Sequence, residues 1–313
     1  MSEMSHTALP VLSLDDDSCR FATALGECFR EYGFALVTDH GIEPAAIEKG
    51  WAITKAFFAL PETEKRQYHI PGGGGARGYT PFGTEVAKDA AIHDLKEFWH
   101  IGRELPDGDP RKATMPDNIW PDRPEGFRQA ALDLYDAMDS AGATILSRIG
   151  LYLGADDTLF DDAIKGGNSV LRFLHYPPLP SETKGALRAQ AHGDINLITL
   201  LLGAEEAGLQ ILVRDGTWLD INPPPGALVI NIGDMLERLT NNVLPSTTHR
   251  VRNPDGTRAR YSRYSMPFFL HLRSDYRMET LPCCISPDNP DRYPDVMTAD
   301  QMLTQRLREI GLM

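Results

Sequence analysis

The sequence predicts a mainly β protein with α elements, its second half a jelly roll and its first half largely helical. Two observations carry this. After Gly166-Gly167-Asn168 short apolar runs alternate with turn residues at the spacing of a sandwich or barrel. Upstream, the apolar spacing is helical, most plainly from Glu125 to Leu153, where Phe127, Ala131, Leu134, Met138, Ala141, Ile145 and Ile149 recur every three or four residues.

In chain order, Pro10 to Leu14 reads as a short strand running into Asp15-Asp16-Asp17-Ser18, and Phe21, Leu25, Cys28 and Phe29 set a helix that Gly33 stops. Phe34 to Thr38 is a strand. Pro44 opens a second helix to about Ala59, and Pro61 suits the first turn of a third. Gly73, Gly75 and Gly78 match the letters of a nucleotide-binding glycine fingerprint, but no strand leads into them and Pro81 and Gly83 stand where its helix would start. A flexible loop covering a site is the better expectation. Lys96 to Ile101 is a candidate strand, and 106–124, rich in Pro and Asp, is irregular. In the second half we expect strands at Val170–Tyr176, Leu197–Leu202, Leu209–Val213, Trp218–Ile221, Ala227–Ile232, Thr247–Val251 and Tyr264–Leu270, with Asp215-Gly216 as a hairpin turn. Thr298 and Gln301 form a capping box for a last helix through Ile310.

The net charge of −13 (31 Lys+Arg, 44 Asp+Glu), with no compensating basic run, argues against a nucleic-acid or anionic-membrane partner. No apolar stretch approaches the roughly 18 residues of a membrane span. Met1 to Leu9 has neither a basic start nor an apolar core, so no signal peptide is expected. Cys19, Cys28, Cys283 and Cys284 offer no CxxC spacing; reduced thiols in a cytoplasmic protein are the expectation.

Chemistry concentrates at His192-Gly193-Asp194, just before the apolar run Ile195 to Leu202. In extended chain residues two apart face the same side, so an imidazole and a carboxylate could meet at one point. The pair alone better fits a polar turn before a strand. A third ligand would have to return on another strand of the β region, and His249 in Thr247-Thr248-His249-Arg250-Val251 could do so if the sheet closes. Two His and one Asp leave three open positions, the set suited to non-haem Fe(II) that binds both a co-substrate and O2. A 2-oxo acid co-substrate would need a cationic anchor. Arg263-Tyr264-Ser265 offers guanidinium and hydroxyl on one strand face, but Arg260-Tyr261-Ser262 repeats the pattern and leaves the register open.

Taken together, the landmarks resemble the isopenicillin N synthase-like family of Fe(II)- and 2-oxoglutarate-dependent dioxygenases over nearly the whole chain. They are Gly33-Phe34, His40-Gly41-Ile42, Phe57-Phe58-Ala59-Leu60-Pro61, Arg77-Gly78-Tyr79, His192-Gly193-Asp194, Asn231-Ile232-Gly233-Asp234, Thr248-His249-Arg250-Val251 and Arg263-Tyr264-Ser265-Met266-Pro267-Phe268-Phe269. The resemblance implies a double-stranded β-helix (jelly roll) core flanked by helices. It implies His192, Asp194 and His249 as iron ligands, and Arg263 and Ser265 as binders of the 2-oxoglutarate carboxylate, the following Met-Pro-Phe-Phe favouring Arg263 over Arg260. Tyr176 aligns with a tyrosine that bonds the same carboxylate. Asn231 to Asp234 would serve the fold, with Asp234 at a turn, and His40 and His175 would be structural or support the site. Gly193 stands where many members carry Thr or Ser.

The expected layout is an N-terminal α/β region (1–165), a catalytic jelly roll (166–275) and a C-terminal extension ending in a helix (276–313). The expected enzyme uses Fe(II), 2-oxoglutarate and O2 to hydroxylate, desaturate or cyclise a small molecule, releasing succinate and CO2. The alternatives are a 2-oxoglutarate-independent oxidase of the same fold and a non-catalytic binding jelly roll. The substrate and the oligomeric state are not set by the sequence; the Arg77–Glu85 loop, Glu97–His100 and the C-terminal region are the candidate pocket walls.

Overall fold

The N-terminal elements alternate because each stop is written locally. The computed structural model describes residues 9–85, 92–180, 182–183, 185–202 and 208–309. Strand β1 (Val11–Ser13) leads to α1 (Ser18–Tyr32), whose N-cap Asp17 accepts from the Cys19 and Arg20 amides. Gly33 ends it at φ 68°, returning its N–H to the Phe29 carbonyl, a left-handed cap that glycine adopts without strain. Then come β2 (Phe34–Thr38), α2 (Pro44–Phe58) with Pro44 in its first turn, and the single turn α3 (Glu62–Lys65). The glycine-rich segment is a run of turns that continues into a short strand, β3 (Gly78–Thr80), which the sequence reading took wholly as loop. After β4 (Glu97–Gly102), 106–124 is irregular apart from a 3-10 turn at Pro110–Ala113. The long helix α4 (Phe127–Tyr152) is followed by α5 (Asp161–Ile164).

The second half supplies β5 (Val170–Tyr176), β6 (Ala189–His192), β7 (Ile198–Leu202), β8 (Leu209–Leu212), β9 (Trp218–Asp220), β10 (Leu228–Ile232), the short helix α6 (Asp234–Leu239), β11 (His249–Val251) and β12 (Arg263–Leu270). The two-residue strands β13 (Arg277–Met278) and β14 (Met297–Thr298) precede α7 (Ala299–Glu309). The capping box is present: the Thr298 amide donates to Gln301 Oε1 and the Gln301 amide to Thr298 Oγ1. Ile310, the expected helix end, lies outside the described residues. Asp215-Gly216 closes the β8–β9 hairpin, Gly216 at φ 84°. The four cysteines are free thiols. Among the described residues, no helix is long and apolar enough to cross a membrane.

The strands form an eight-stranded sheet in the order β1-β2-β10-β7-β12-β5-β4-β3 and a four-stranded sheet in the order β6-β11-β8-β9. The larger sheet is unbroken in register across β10, β7, β12, β5 and β4, so alternation decides what each face holds. One face carries Leu200, Leu202, Phe268, Leu270, Leu171, Phe173 and Trp99, all buried, and meets the helices. A Cβ on Gly142 of α4 would fall 2.3 Å from Leu270, and one on Gly50 of α2 2.7 Å from Leu134 of α4, so the glycines let helices and sheet close up. The opposite face carries Asn231, Thr199, Arg263, Ser265, Phe269, Tyr176, Arg172, Phe98 and His100, and this is the polar interior of the jelly roll.

On the helix side the polar exceptions are compensated. Glu97, 2% exposed, receives both a bifurcated ammonium from Lys65 (2.9 and 2.7 Å) and a 2.6 Å bond from His175 Nδ1, and Tyr79 donates its hydroxyl to the same carboxylate. Burial alone would raise the Glu97 pKa, but these donors hold it below the usual carboxylate value. His175 Nε2 also meets Ser262 Oγ at 2.9 Å, and His40 Nε2 the Gly226 carbonyl at 2.9 Å, which ties both histidines to the framework. Glu97→Ala leaves Lys65 buried without this partner, and we expect a loss of about 3–5 kcal/mol in denaturant unfolding. Lys65→Met with Glu97→Leu should recover most of it; equal stability of wild type and the single variant would contradict this account.

Candidate metal and co-substrate site

His192 is the last residue of β6 in the small sheet, whereas Asp194 lies in the link that carries the chain across to β7 in the large one. The expectation of one extended strand bearing both is therefore corrected: the pair converges because the chain turns between sheets. His249 opens β11 and pairs directly with His192. His192 Nε2 and His249 Nε2 lie 3.9 and 3.8 Å from Asp194 Oδ1, and the three donor atoms fall within 4.8 Å of one another. The imidazole rings are 4.4 Å apart between centroids.

Every other polar atom of the three side chains is already used. His192 Nδ1 is 2.7 Å from the Gln190 carbonyl and His249 Nδ1 3.2 Å from the Thr247 carbonyl, so both Nδ1 atoms donate and both Nε2 lone pairs face inward. Asp194 Oδ2 accepts from Thr199 Oγ1 at 2.6 Å and Asn231 Nδ2 at 2.9 Å, leaving Oδ1 toward the histidines. Removal from water inside the cavity and the adjacent His249 push the His192 pKa down to about 4, so its ring is neutral and ligand-ready at physiological pH. Burial would raise the Asp194 pKa, but the two imidazoles and the two donated bonds bring it below its ordinary value. Two imidazoles that turn Nε2 inward and one carboxylate, oriented from behind and open in front, fit a divalent non-haem iron.

The turn bearing Asp194 is held by the segment read from sequence as structural. Gly233 N–H donates to the Leu197 carbonyl, Asp234 N–H to the Asp194 carbonyl and Met235 N–H to the Ile195 carbonyl, so the free amides at the start of α6 satisfy the link. A Cβ on Gly233 would sit 2.1 Å from the Asn196 carbonyl oxygen, which explains a glycine there. Asp234 is no ligand of the cluster; it stands in the first turn of α6 and pairs with Arg306 of α7. Asn231 and Thr199, which orient the Asp194 carboxylate, are not singled out by the sequence for that contact. Their signal was present: each is a polar residue in an otherwise apolar strand.

Tyr176, Arg263 and Ser265 sit together on the interior face of the large sheet, buried at 3%, 4% and 2% exposure. Arg263 pairs across strands with Tyr176, and its guanidinium carbon lies 5.0 Å from that ring. Arg260 ends a 3-10 turn before β12, whereas Arg263 is the first residue of the strand and is buried. A cavity of about 1100 Å³ opens beside His192 and Asp194, walled by the glycine-rich segment, β4, β5, the end of β12 and α7. These walls include Arg77, Glu85, Phe98 and His100 from the expected segments and Leu303 and Arg306 from the C-terminal region.

A jelly roll whose two sheets converge on an open two-histidine, one-carboxylate cluster defines a non-haem iron oxygenase. Residues 9–123 match the N-terminal model of non-haem dioxygenase in morphine synthesis, and 167–272 the model of the 2OG-Fe(II) oxygenase superfamily. A 2-oxoglutarate-Fe(II) type oxidoreductase of Aspergillus fumigatus is 32% identical over 291 residues, covering 90% of this chain and 85% of its own. A structure of a 2OG-Fe(II) oxygenase family protein from Caulobacter crescentus is 54% identical with a TM-score of 0.90, covering 97% of this chain and 100% of its own. Neurospora crassa T7H, solved with alpha-KG and thymine, is 27% identical with a TM-score of 0.86 and 98% coverage of both chains. The chain belongs to the isopenicillin N synthase-like 2OG-Fe(II) oxygenase superfamily and is an Fe(II)- and 2-oxoglutarate-dependent dioxygenase. This sets aside the non-catalytic jelly roll, and between the two oxygenase readings it supports the 2-oxoglutarate-dependent one.

Proposed function

We propose that His192 Nε2, Asp194 Oδ1 and His249 Nε2 hold Fe(II), and that Arg263, Ser265 and Tyr176 receive the distal carboxylate of 2-oxoglutarate. The observation that carries the reading is the convergence of three donor atoms whose partner atoms are all engaged elsewhere. The bound iron supplies O2 activation coupled to decarboxylation of 2-oxoglutarate to succinate and CO2, with oxidation of a substrate C–H bond. The protein's own part is to hold and to exclude. Thr199 and Asn231 fix the Asp194 carboxylate, the carbonyls of Gln190 and Thr247 fix the imidazole tautomers, and Arg263 with Ser265 orients the co-substrate from the same interior face.

The reading keeps three regions of the chain, 1–165, 166–275 and 276–313, the middle one carrying all six residues. It takes a small molecule in the cavity as substrate. The net charge of −13 supports that over nucleic acid or a membrane surface, and four free thiols support a cytoplasmic setting. Whether hydroxylation, desaturation or ring closure follows is set by the substrate. Anaerobic addition of Fe(II) and 2-oxoglutarate should raise a metal-to-ligand charge-transfer absorption band, and on admitting O2 succinate should form. A protein that binds iron yet shows no band with 2-oxoglutarate would sink the co-substrate assignment.

A further inference from the structure

Arg77 is a buried cation whose outer edge is unclaimed. The residue is 5% exposed and lines the cavity that reaches His192 and Asp194. Its Nη1 donates to the Ala76 carbonyl at 2.7 Å, but Nε and Nη2 are both buried with no hydrogen-bond partner. Removal from water draws its pKa down, yet a guanidinium stays charged at physiological pH. Two unmade donors on one buried cation are costly, and a ligand that supplies the acceptors removes the cost.

The fold makes room for this edge. Gly102 ends β4, and a Cβ there would fall 1.9 Å from Nη2 and 2.5 Å from Nε, so the guanidinium stands where any other residue would place its side chain. The Gly102 N–H and C=O are both engaged by the Asn118 carboxamide, at 2.7 and 2.8 Å. Across the sheet Gly102 faces Val170, and Val170 faces Phe269; these two side chains line the same cavity with an aliphatic and an aromatic wall. The other Lys and Arg side chains that line it are paired. Lys96 meets Glu85 at 2.5 Å and Asp94 at 2.8 Å, Arg172 meets Glu85 at 3.4 and 3.2 Å, and Arg306 pairs with Asp234. The Arg77 edge thus offers two parallel donors and a single charge. A carboxylate matches both counts, whereas a phosphate dianion would call for further donors and a second cation.

We propose that Arg77 is the specificity-determining anchor for a monocarboxylate substrate, its Nε–Nη2 edge taking the carboxylate while the apolar body lies along Val170 and Phe269. This carboxylate is distinct from that of 2-oxoglutarate, whose assigned anchor, Arg263, heads β12 at the end remote from Phe269. The proposal rests on the reading of this cavity as the substrate chamber of the iron site. The test is calorimetric binding of phenylacetate, phenylacetamide and benzylphosphonate, which share one body and differ in head group. The Fe(II)- and 2-oxoglutarate-loaded protein is used without oxygen, and the charge-transfer band is recorded in parallel. Phenylacetate should bind at millimolar concentration or below, at least tenfold more tightly than the other two, and leave 2-oxoglutarate in place. Arg77→Met should remove at least tenfold of that affinity, and Arg77→Lys, which keeps the charge but not the two-donor edge, should restore part of it. Thermal unfolding separates an anchor from a strut. Losing an unpaired buried cation should leave the Tm of the ligand-free Arg77→Met protein unchanged or higher, whereas a lower Tm would assign Arg77 to the framework and overturn the proposal. Absence of phenylacetate binding, equal binding of either analogue, affinity indifferent to Arg77→Met, or binding that bleaches the band by displacing 2-oxoglutarate overturns it too. Phenylacetate binding that depends on Arg77 in a protein without the band upholds the proposal and removes the co-substrate assignment instead.

Discussion

His249→Ala should reduce Fe(II) affinity at least 100-fold and, with it, succinate formation to background. The expected loss exceeds the 10–100-fold that removal of a group behind a metal ligand typically costs, because here the ligand itself goes and only two donors remain. His249 is the member contributed from furthest along the chain, opening β11 opposite His192, so its removal also tests whether the sheet pairing, rather than the local His-x-Asp sequence, makes the site. Asn231→Leu and Thr199→Val provide the graded comparison. They leave all three donors but free Asp194 Oδ2 from its 2.9 and 2.6 Å bonds, and should weaken iron by roughly 10–100-fold. Anaerobic calorimetric titration of Fe(II) reads all three variants, with cooperative thermal unfolding confirming that each still folds. Undiminished iron affinity in the His249 variant would remove it from the ligand set.

The local sequence announced the elements well and their assembly poorly. Stops and caps such as Gly33, Pro44 and the Thr298–Gln301 box act within a few residues, so they read directly, and the predicted strands from Val170 to Leu270 lie within one or two residues of those observed. Strand β6 went unseen because Ala189-Gln190-Ala191-His192 has neither β-branched nor aromatic residues, and its pairing with β11 is what defines it. For the same reason His192 and Asp194 read as one strand's end, whereas His192 ends a strand of the small sheet and Asp194 lies in the link to the large one. The three residues that converge, His192, Asp194 and His249, could nevertheless be picked out, since ligand chemistry restricts residue type more tightly than fold does. Asn231 and Thr199 escaped because their role is defined by Asp194 Oδ2, an atom reached only across strands. Glu97 and Lys65, 32 residues apart, pose the same problem: complementary charges in sequence say nothing of who is buried with whom.

Arg263→Ala should raise the 2-oxoglutarate dissociation constant about 100-fold, the equivalent of losing about 2.7 kcal/mol, near the upper end of charge-assisted hydrogen bonding. Iron affinity should stay as in wild type, because the guanidinium lies on β12, away from the carbonyls and amides that orient the three ligands. Arg263→Lys keeps the charge but not the planar two-donor edge, so an intermediate loss of about tenfold is expected, and Ser265→Ala should cost less than either. The deciding control is Arg260→Ala. Both arginines head an Arg-Tyr-Ser triplet, and the secondary structure separates them in the same sense as the Met-Pro-Phe-Phe after Ser265: Arg260 ends a 3-10 turn, whereas Arg263 is 4% exposed on the interior face opposite Tyr176. The growth of the charge-transfer band with 2-oxoglutarate concentration gives each constant. Should the Arg260 variant shift the titration and the Arg263 variant leave it in place, the co-substrate would be anchored outside the barrel, and the interior face of β12 would lose its assigned role.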